Sequence, residues 1–207
     1  MEEEIRKRIV EAGNRLVEKG LTYGSSGNIS MRYGNKIFIT PSGIPYHKIS
    51  PNDIVEIDFE GNERGGKASI EAPMHIAIYI GRKDINAVVH FHSPYSMACA
   101  AGVDEIPVFL DELFSHVGGS LIVAKYGVPG SKKLAENVSS VMKERNAALL
   151  RGHGAVCCGK NLEEAMELAE IVERICRVYI LACIAGEPKK LPEEGIKYQI
   201  KAFKEKQ

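Results

Sequence analysis

The chain has 207 residues, and its 27 basic and 27 acidic side chains leave a formal net charge of zero with histidine neutral. Apolar residues at 44% and charged ones at 26% are a globular composition, which excludes a wholly disordered chain and predicts one domain over residues 1–207. Zero net charge without a long basic block argues against nucleic acid as the main partner, although a local pocket of donors for a small anion needs no global charge.

From Glu2 to Lys19, Ile5, Ile9, Ala12, Leu16 and Val17 recur at helical spacing, and Gly20 supplies a stop. Asn28–Arg32 and Lys36–Thr40 alternate apolar with polar around Gly34-Asn35, a hairpin pattern, and Asp53–Phe59 alternates again as a further strand. Pro73 fits the first turn of a helix reaching about Ile80, because its missing N–H costs little there. Ile85–Phe91 is a strongly apolar strand, and Pro94 opens the next helix. Leu121–Ala124 reads as a short strand and Ser131–Glu144 as an amphipathic helix carrying Leu134, Val138 and Val141. Ala147–Leu150 and Ala155–Cys158 are strands flanking Arg151-Gly152-His153-Gly154. A long helix over Leu162–Ala185 stops at Gly186 and Pro188. The lysine-rich tail from about residue 193 is expected to be mobile. Hairpins mixed with helices predict a mixed or antiparallel sheet covered by helices, not a regular βα alternation.

Five cysteines, Cys99, Cys157, Cys158, Cys176 and Cys183, form no C-x-x-C pair and read as reduced, mostly buried thiols. Met1-Glu2-Glu3-Glu4 is acidic where a signal peptide is basic and then apolar. No apolar run approaches the ~20 residues of a membrane span. A soluble, cytoplasmic protein is therefore expected, with no membrane partner.

His90 and His92 stand two apart on the apolar strand, so their rings share one face and can lean onto one ion. Ordinary polar packing is the alternative for H-x-H alone. His153 lies between two glycines, which let the backbone turn and clear room for an approaching ion. Three histidines with an open fourth position are the arrangement of catalytic zinc. Glu71 precedes His75 by four residues; it reads either as a carboxylate paired with that imidazole or as a solvated helix-start acid. His47 and His116 read as surface or structural. Gly24-Ser25-Ser26-Gly27-Asn28, Thr40-Pro41-Ser42-Gly43 and Ser69 are rich in small donors and would form an anion nest if they converge.

These segments, taken in order with Ala87-Val88-Val89-His90-Phe91-His92 and Gly152-His153-Gly154, resemble the class II aldolase and adducin-head family over roughly residues 5–190. The likeness is strongest to its members acting on ketose 1-phosphates such as L-fuculose 1-phosphate. It implies an α/β fold: a three-layer α/β/α arrangement around a mainly antiparallel sheet. A homotetramer with sites near subunit interfaces is implied as well. His90, His92 and His153 would hold zinc (Zn2+), with Glu71 as a fourth ligand that also serves as the acid/base. Ser25, Gly27, Asn28, Ser42, Gly43 and Ser69 would cradle the substrate phosphate. The implied reaction is reversible cleavage of a sugar phosphate to dihydroxyacetone phosphate and a small aldehyde such as lactaldehyde.

Ile70 stands where the family pattern has a second serine, and Asp111-Glu112 occupy a region that carries a tyrosine. Tyr198 has no firm counterpart among the family's tail tyrosines. Alternation along Ser69-Ile70-Glu71 predicts that Ile70 points into the core, opposite its two neighbours. A phosphopentose 4-epimerase or other sugar-phosphate lyase is the rival enzyme, and a non-catalytic adducin-like module the rival outside enzymes. Glu71, where such epimerases place aspartate, favours the aldolase. Retention of the three histidines with Glu71 argues against the non-catalytic module.

Overall fold

The computed structural model describes residues 1–206. Among the described residues, nine strands form one sheet in the order β4-β3-β2-β1-β5-β9-β8-β7-β6. They are β1 (Asn28–Tyr33), β2 (Lys36–Ile39), β3 (Val55–Ile57), β4 (Glu63–Arg64), β5 (Ala87–Phe91), β6 (Glu105–Ile106), β7 (Leu121–Ala124), β8 (Ala147–Leu150) and β9 (Gly154–Gly159). Every pairing is antiparallel except β7 with β8.

Among the described residues, six α-helices accompany the sheet: α1 (Glu2–Glu18), α2 (Ala72–Gly81), α3 (Pro94–Gly102), α4 (Lys132–Met142), α5 (Leu162–Ala185) and α6 (Glu193–Lys206). The central strands are buried on both faces, and their alternation decides which layer each residue meets. Val89 and Phe91 of β5 and Ala155 and Cys157 of β9 pack with Ile9 and Leu16 of α1 and Val172 and Cys176 of α5. Val88, Val156 and Cys158 face the other way, onto Met74 and Ile78 of α2 and Leu134 and Val138 of α4. The three-layer expectation holds, and the apolar run at β5 reflects its double burial.

Three readings need correction. The strand expected over Asp53–Phe59 is shorter, because Pro51–Asp53 form a 3-10 turn locked by a capping box between Ser50 and Asp53. β4 and β6, each two residues long, are too short to leave a periodic signal. The lysine-rich tail, given no element from its sequence, forms α6. Ile196 and Ile200 pack on the core, and the Phe203 ring lies against Gly118, where an added Cβ would meet it at 2.7 Å. The lysine count hid this apolar stripe.

Candidate active site

α2 begins at the edge where β5 ends, and this junction assembles the charged groups. Asn28 of β1 is directly opposite His90 of β5. His90 is fully buried, and its Nδ1–H donates to the Ala155 carbonyl on β9 at 2.8 Å. This bond turns Nε2 inward. There it lies 2.9 Å from Glu71 Oε2 and 2.9 Å from His92 Nε2. His153, in the β8–β9 turn, brings its Nε2 to 3.6 Å from Glu71 Oε1. The three imidazoles meet edge to face with centroids 4.8–4.9 Å apart.

The flanking glycines have different tasks. Gly152 takes φ +62, which makes the turn. At Gly154 a Cβ would lie 2.5 Å from the Phe91 carbonyl oxygen and 2.9 Å from the His92 ring, so only hydrogen leaves room for the cluster.

Electrostatics favour inward-facing lone pairs. Burial, followed by the neighbouring imidazoles, pushes His92 down to about 3, and the same causes lower His153. Burial alone would raise the Glu71 carboxyl, but His90, His153 and the Asn28 amide outweigh it and hold the group ionised. Among the described residues, Glu71 Oε1 is buried without a hydrogen-bond partner. A proton on His90 would satisfy one contact; one divalent cation satisfies three imidazole nitrogens and a carboxylate together. His90, His92 and His153 are thus a group able to hold a metal ion, and their nitrogen donor set fits one.

Glu71 occupies the N-cap position of α2, but its carboxylate does not cap the helix. Nor does it touch the His75 side chain, as the E-x-x-x-H spacing allowed: Asn28 stands between them. Asn28 donates from Nδ2 to Glu71 Oε2 at 3.0 Å, while its Oδ1 lies 2.6 Å from His75 Nε2. The Asn28 side chain, taken from sequence as a phosphate ligand, is therefore engaged inside the site. No sequence signal pairs Asn28 with Glu71, because the contact spans 43 residues.

The small-donor loops do come together. Ser69 N–H donates to Thr40 O at 3.1 Å, Ser42 N–H to Lys67 O at 3.0 Å, and Thr40 N–H to Ile29 O at 3.0 Å. Gly27 takes φ +75 with no space for a Cβ beside the His90 carbonyl, which fixes this loop against β5. Gly43 and Ser25 are exposed, Ser42 and Ser69 partly so. The Ser42 N–H is already used, leaving its hydroxyl free of that bond.

Ile70 does not enter the core; it is 56% exposed. Ala72 N–H donates to Ser69 O at 3.0 Å, so the chain turns through Ile70 and Glu71, and strand alternation does not apply. Asp111 accepts from Gln199 of α6 at 3.3 Å, and Glu112 pairs with Arg174 of α5, so both acids anchor the helices behind them. Tyr198 is exposed. Tyr46, unmarked by sequence reading, has a buried hydroxyl without a partner among the described residues. Burial and then the Glu71 charge push that hydroxyl up.

Comparison with known proteins gives these features a family. A family model described as Class II Aldolase and Adducin N-terminal domain matches residues 7–180. The 5-deoxy-D-ribulose 1-phosphate aldolase of Bacillus thuringiensis serovar kurstaki is 36% identical over 202 residues, covering 96% of this chain and 94% of the relative. The L-fuculose phosphate aldolase of Escherichia coli K12 is 35% identical, covering 97% and 94%. A solved L-fuculose 1-phosphate aldolase superposes with a TM-score of 0.92 at 35% identity, covering 97% of this chain and 96% of that one. With matches spanning nearly its whole length, the chain belongs to the class II aldolase and adducin family and is an aldolase of that metal-dependent class.

Proposed function

We propose that the protein is a zinc-dependent aldolase that reversibly cleaves a ketose 1-phosphate to dihydroxyacetone phosphate and a small aldehyde. The observation that carries this reading is the convergence of three ring nitrogens and Glu71, with one carboxylate oxygen buried and unpartnered. The proposed metal ligands are His90, His92, His153 and Glu71. A zinc ion held there supplies Lewis acidity, drawing off the negative charge that cleavage leaves next to the ketone.

The protein groups perform the remaining work. Breaking the C3–C4 bond leaves the electron pair on C3 and releases C4 as the aldehyde, the C4 hydroxyl giving up its proton to solvent water as the carbonyl forms. Glu71, the buried carboxylate at this junction, delivers a proton to C3, and in the synthetic direction removes it. Gly27, Ser42, Gly43 and Ser69, with Ser25 and the Asn28 segment, hold the phosphate, so that remote binding energy orients C3 over the carboxylate. The proposal includes a single domain, a homotetramer with sites near subunit interfaces, and cytoplasmic residence. No helix among the described residues is long and apolar enough to cross a membrane.

The test uses the full chain, metal-replete, with L-fuculose 1-phosphate and 5-deoxy-D-ribulose 1-phosphate, which would release lactaldehyde and acetaldehyde respectively. Trapped dihydroxyacetone phosphate from either, abolished by chelation and restored by zinc, is the expected result. Release that persists in metal-free protein, or isomerised pentose phosphate without any triose, would sink the proposal.

A further inference from the structure

A line of side-chain hydrogen bonds runs from the interior of α2 to the Glu71 carboxylate, and chemistry fixes its direction. An ionised carboxylate only accepts, so Asn28 must present Nδ2 to Glu71 Oε2, at 3.0 Å, and Oδ1 to His75. That oxygen is 2.6 Å from His75 Nε2, which therefore carries the ring hydrogen. Nδ1 is then bare and accepts from the Ser30 hydroxyl at 2.7 Å. The Tyr79 hydroxyl closes the line, 2.9 Å from Ser30 Oγ and 3.1 Å from the Ser30 carbonyl oxygen. Asn28 is 3% exposed, and Ser30, His75 and Tyr79 are fully buried, so water does not compete. Burial, then the nearby His90, pushes the His75 ring down to about 3, so it is neutral at ordinary pH.

We propose that His75 is a positioning residue for Glu71: as the Nε2–H tautomer it locks the Asn28 amide with its N–H toward Oε2, and so fixes how both carboxylate oxygens face the histidine cluster. The inference rests on the reading of Glu71 as the group that moves the C3 proton. If the amide reversed, its oxygen would oppose the carboxylate, and Glu71 would lose a charge-assisted bond and its fixed orientation. The imidazole itself makes no side-chain contact with the cluster; it acts through Asn28.

Two variants separate the two halves of the line. In His75→Gln the amide nitrogen takes the place of Nε2 and still donates to Asn28. In His75→Asn the shorter side chain reaches Ser30 but not Asn28. His75→Asn should lower kcat about ten-fold or more, the order of one hydrogen bond to a charged group, with KM changed less than about two-fold. His75→Gln should restore most of kcat. Equal kcat in the two variants would overturn the proposal.

An independent measurement needs no turnover. 15N NMR of histidine-labelled, metal-free full-length protein should show His75 protonated at Nε2 only. An Nδ1–H ring or an imidazolium would refute the assignment even if both variants fail to fold. Absence of aldolase activity in the unaltered protein would instead overturn the functional reading, leaving the tautomer result to decide the hydrogen-bond line.

Discussion

The two ends of α2 carry opposite charges buried in opposite ways. At its C-terminal end Arg82 has five N–H donors and uses all of them: Nε and Nη2 on Asp84 at 2.8 and 2.6 Å, Nη1 on the Met142 and Arg145 carbonyls at 3.1 and 3.0 Å, and Nη2 again on Asn146 at 3.0 Å. At the N-terminal end Glu71 has one oxygen held by Asn28 and one without a hydrogen bond. A buried charge that the fold satisfies completely is a structural fastener. One left partly unsatisfied carries a cost that folding alone does not recover, and it marks where a ligand is to be bound. A cavity of about 260 Å³ lies beside Arg82, yet its arginine has no donor left to offer. Open volume is thus a poorer guide to the chemistry than unsatisfied polar atoms.

The largest break in this comparison is expected from Glu71→Gln. The amide preserves shape but cannot exchange a proton, so kcat should fall by about 10²–10⁴-fold. Circular dichroism and thermal melting should stay close to the parent, because the group is not a fastener. The three histidines should retain much of the metal by elemental analysis. An unchanged kcat would remove Glu71 from the mechanism.

Arg82→Met should show the reverse pattern. Removing the guanidinium leaves the Met142 and Arg145 carbonyls and Asn146 without their donor, and frees Asp84, which is itself 36% exposed. A loss of about 2–4 kcal/mol in urea unfolding is expected, with kcat per folded molecule unchanged. A fall in kcat comparable to that of Glu71→Gln would end the division of the helix into a structural and a chemical end.

How much of this was legible in the sequence follows the same division between local and tertiary order. H-x-H on an apolar strand and the G-H-G turn are local patterns, and both lead to the cluster. Asn28 and Ser30 share a face of β1 by their spacing of two, as His75 and Tyr79 share a face of α2 by their spacing of four. Each pattern is readable alone. That the strand face meets the helix face is decided by the packing of α2 on the sheet, which no spacing records. The apolar side of α6 escaped notice because lysines dominate its composition, and Asp111 and Glu112 found partners on helices 88 and 62 residues away.

Acid should sharpen the contrast between buried neutral and buried charged groups. His75 is pushed down to about 3 in the folded protein, against about 6.5 for an unfolded histidine. Between these values the unfolded chain binds the extra proton, so stability falls as pH drops below 6.5 and is unaffected above it. For this fully buried ring the slope is about 1.4 kcal/mol per pH unit. His92 and His153 are lowered too, so unfolding of the metal-free protein across pH 4–7 should show a steeper total slope, and His75→Gln should reduce it by about that one-ring increment. A variant with the parent slope would assign the acid sensitivity to other groups.

The smallest expected effect is at Ile70, one residue from the most consequential position. The turn that points Glu71 inward points Ile70 outward, at 56% exposure, so the two neighbours belong to different environments. Ile70→Ser removes little buried apolar surface, and a solvent-facing substitution of this kind usually changes stability by less than about 0.5 kcal/mol. The backbone at this point is constrained more than the side chain: the Ile70 carbonyl oxygen would lie 2.7 Å from a Cβ at Gly130, which takes φ +78. Gly130→Ala should therefore disturb the turn, and with it Glu71, more than Ile70→Ser does. The measurement is a pair of thermal melts and a pair of KM values for a ketose 1-phosphate. If Ile70→Ser lowers KM at unchanged stability, its hydroxyl has joined the phosphate loops, and Ile70 faces the substrate. If it lowers the melting temperature by several degrees, the side chain is covered in the assembled protein.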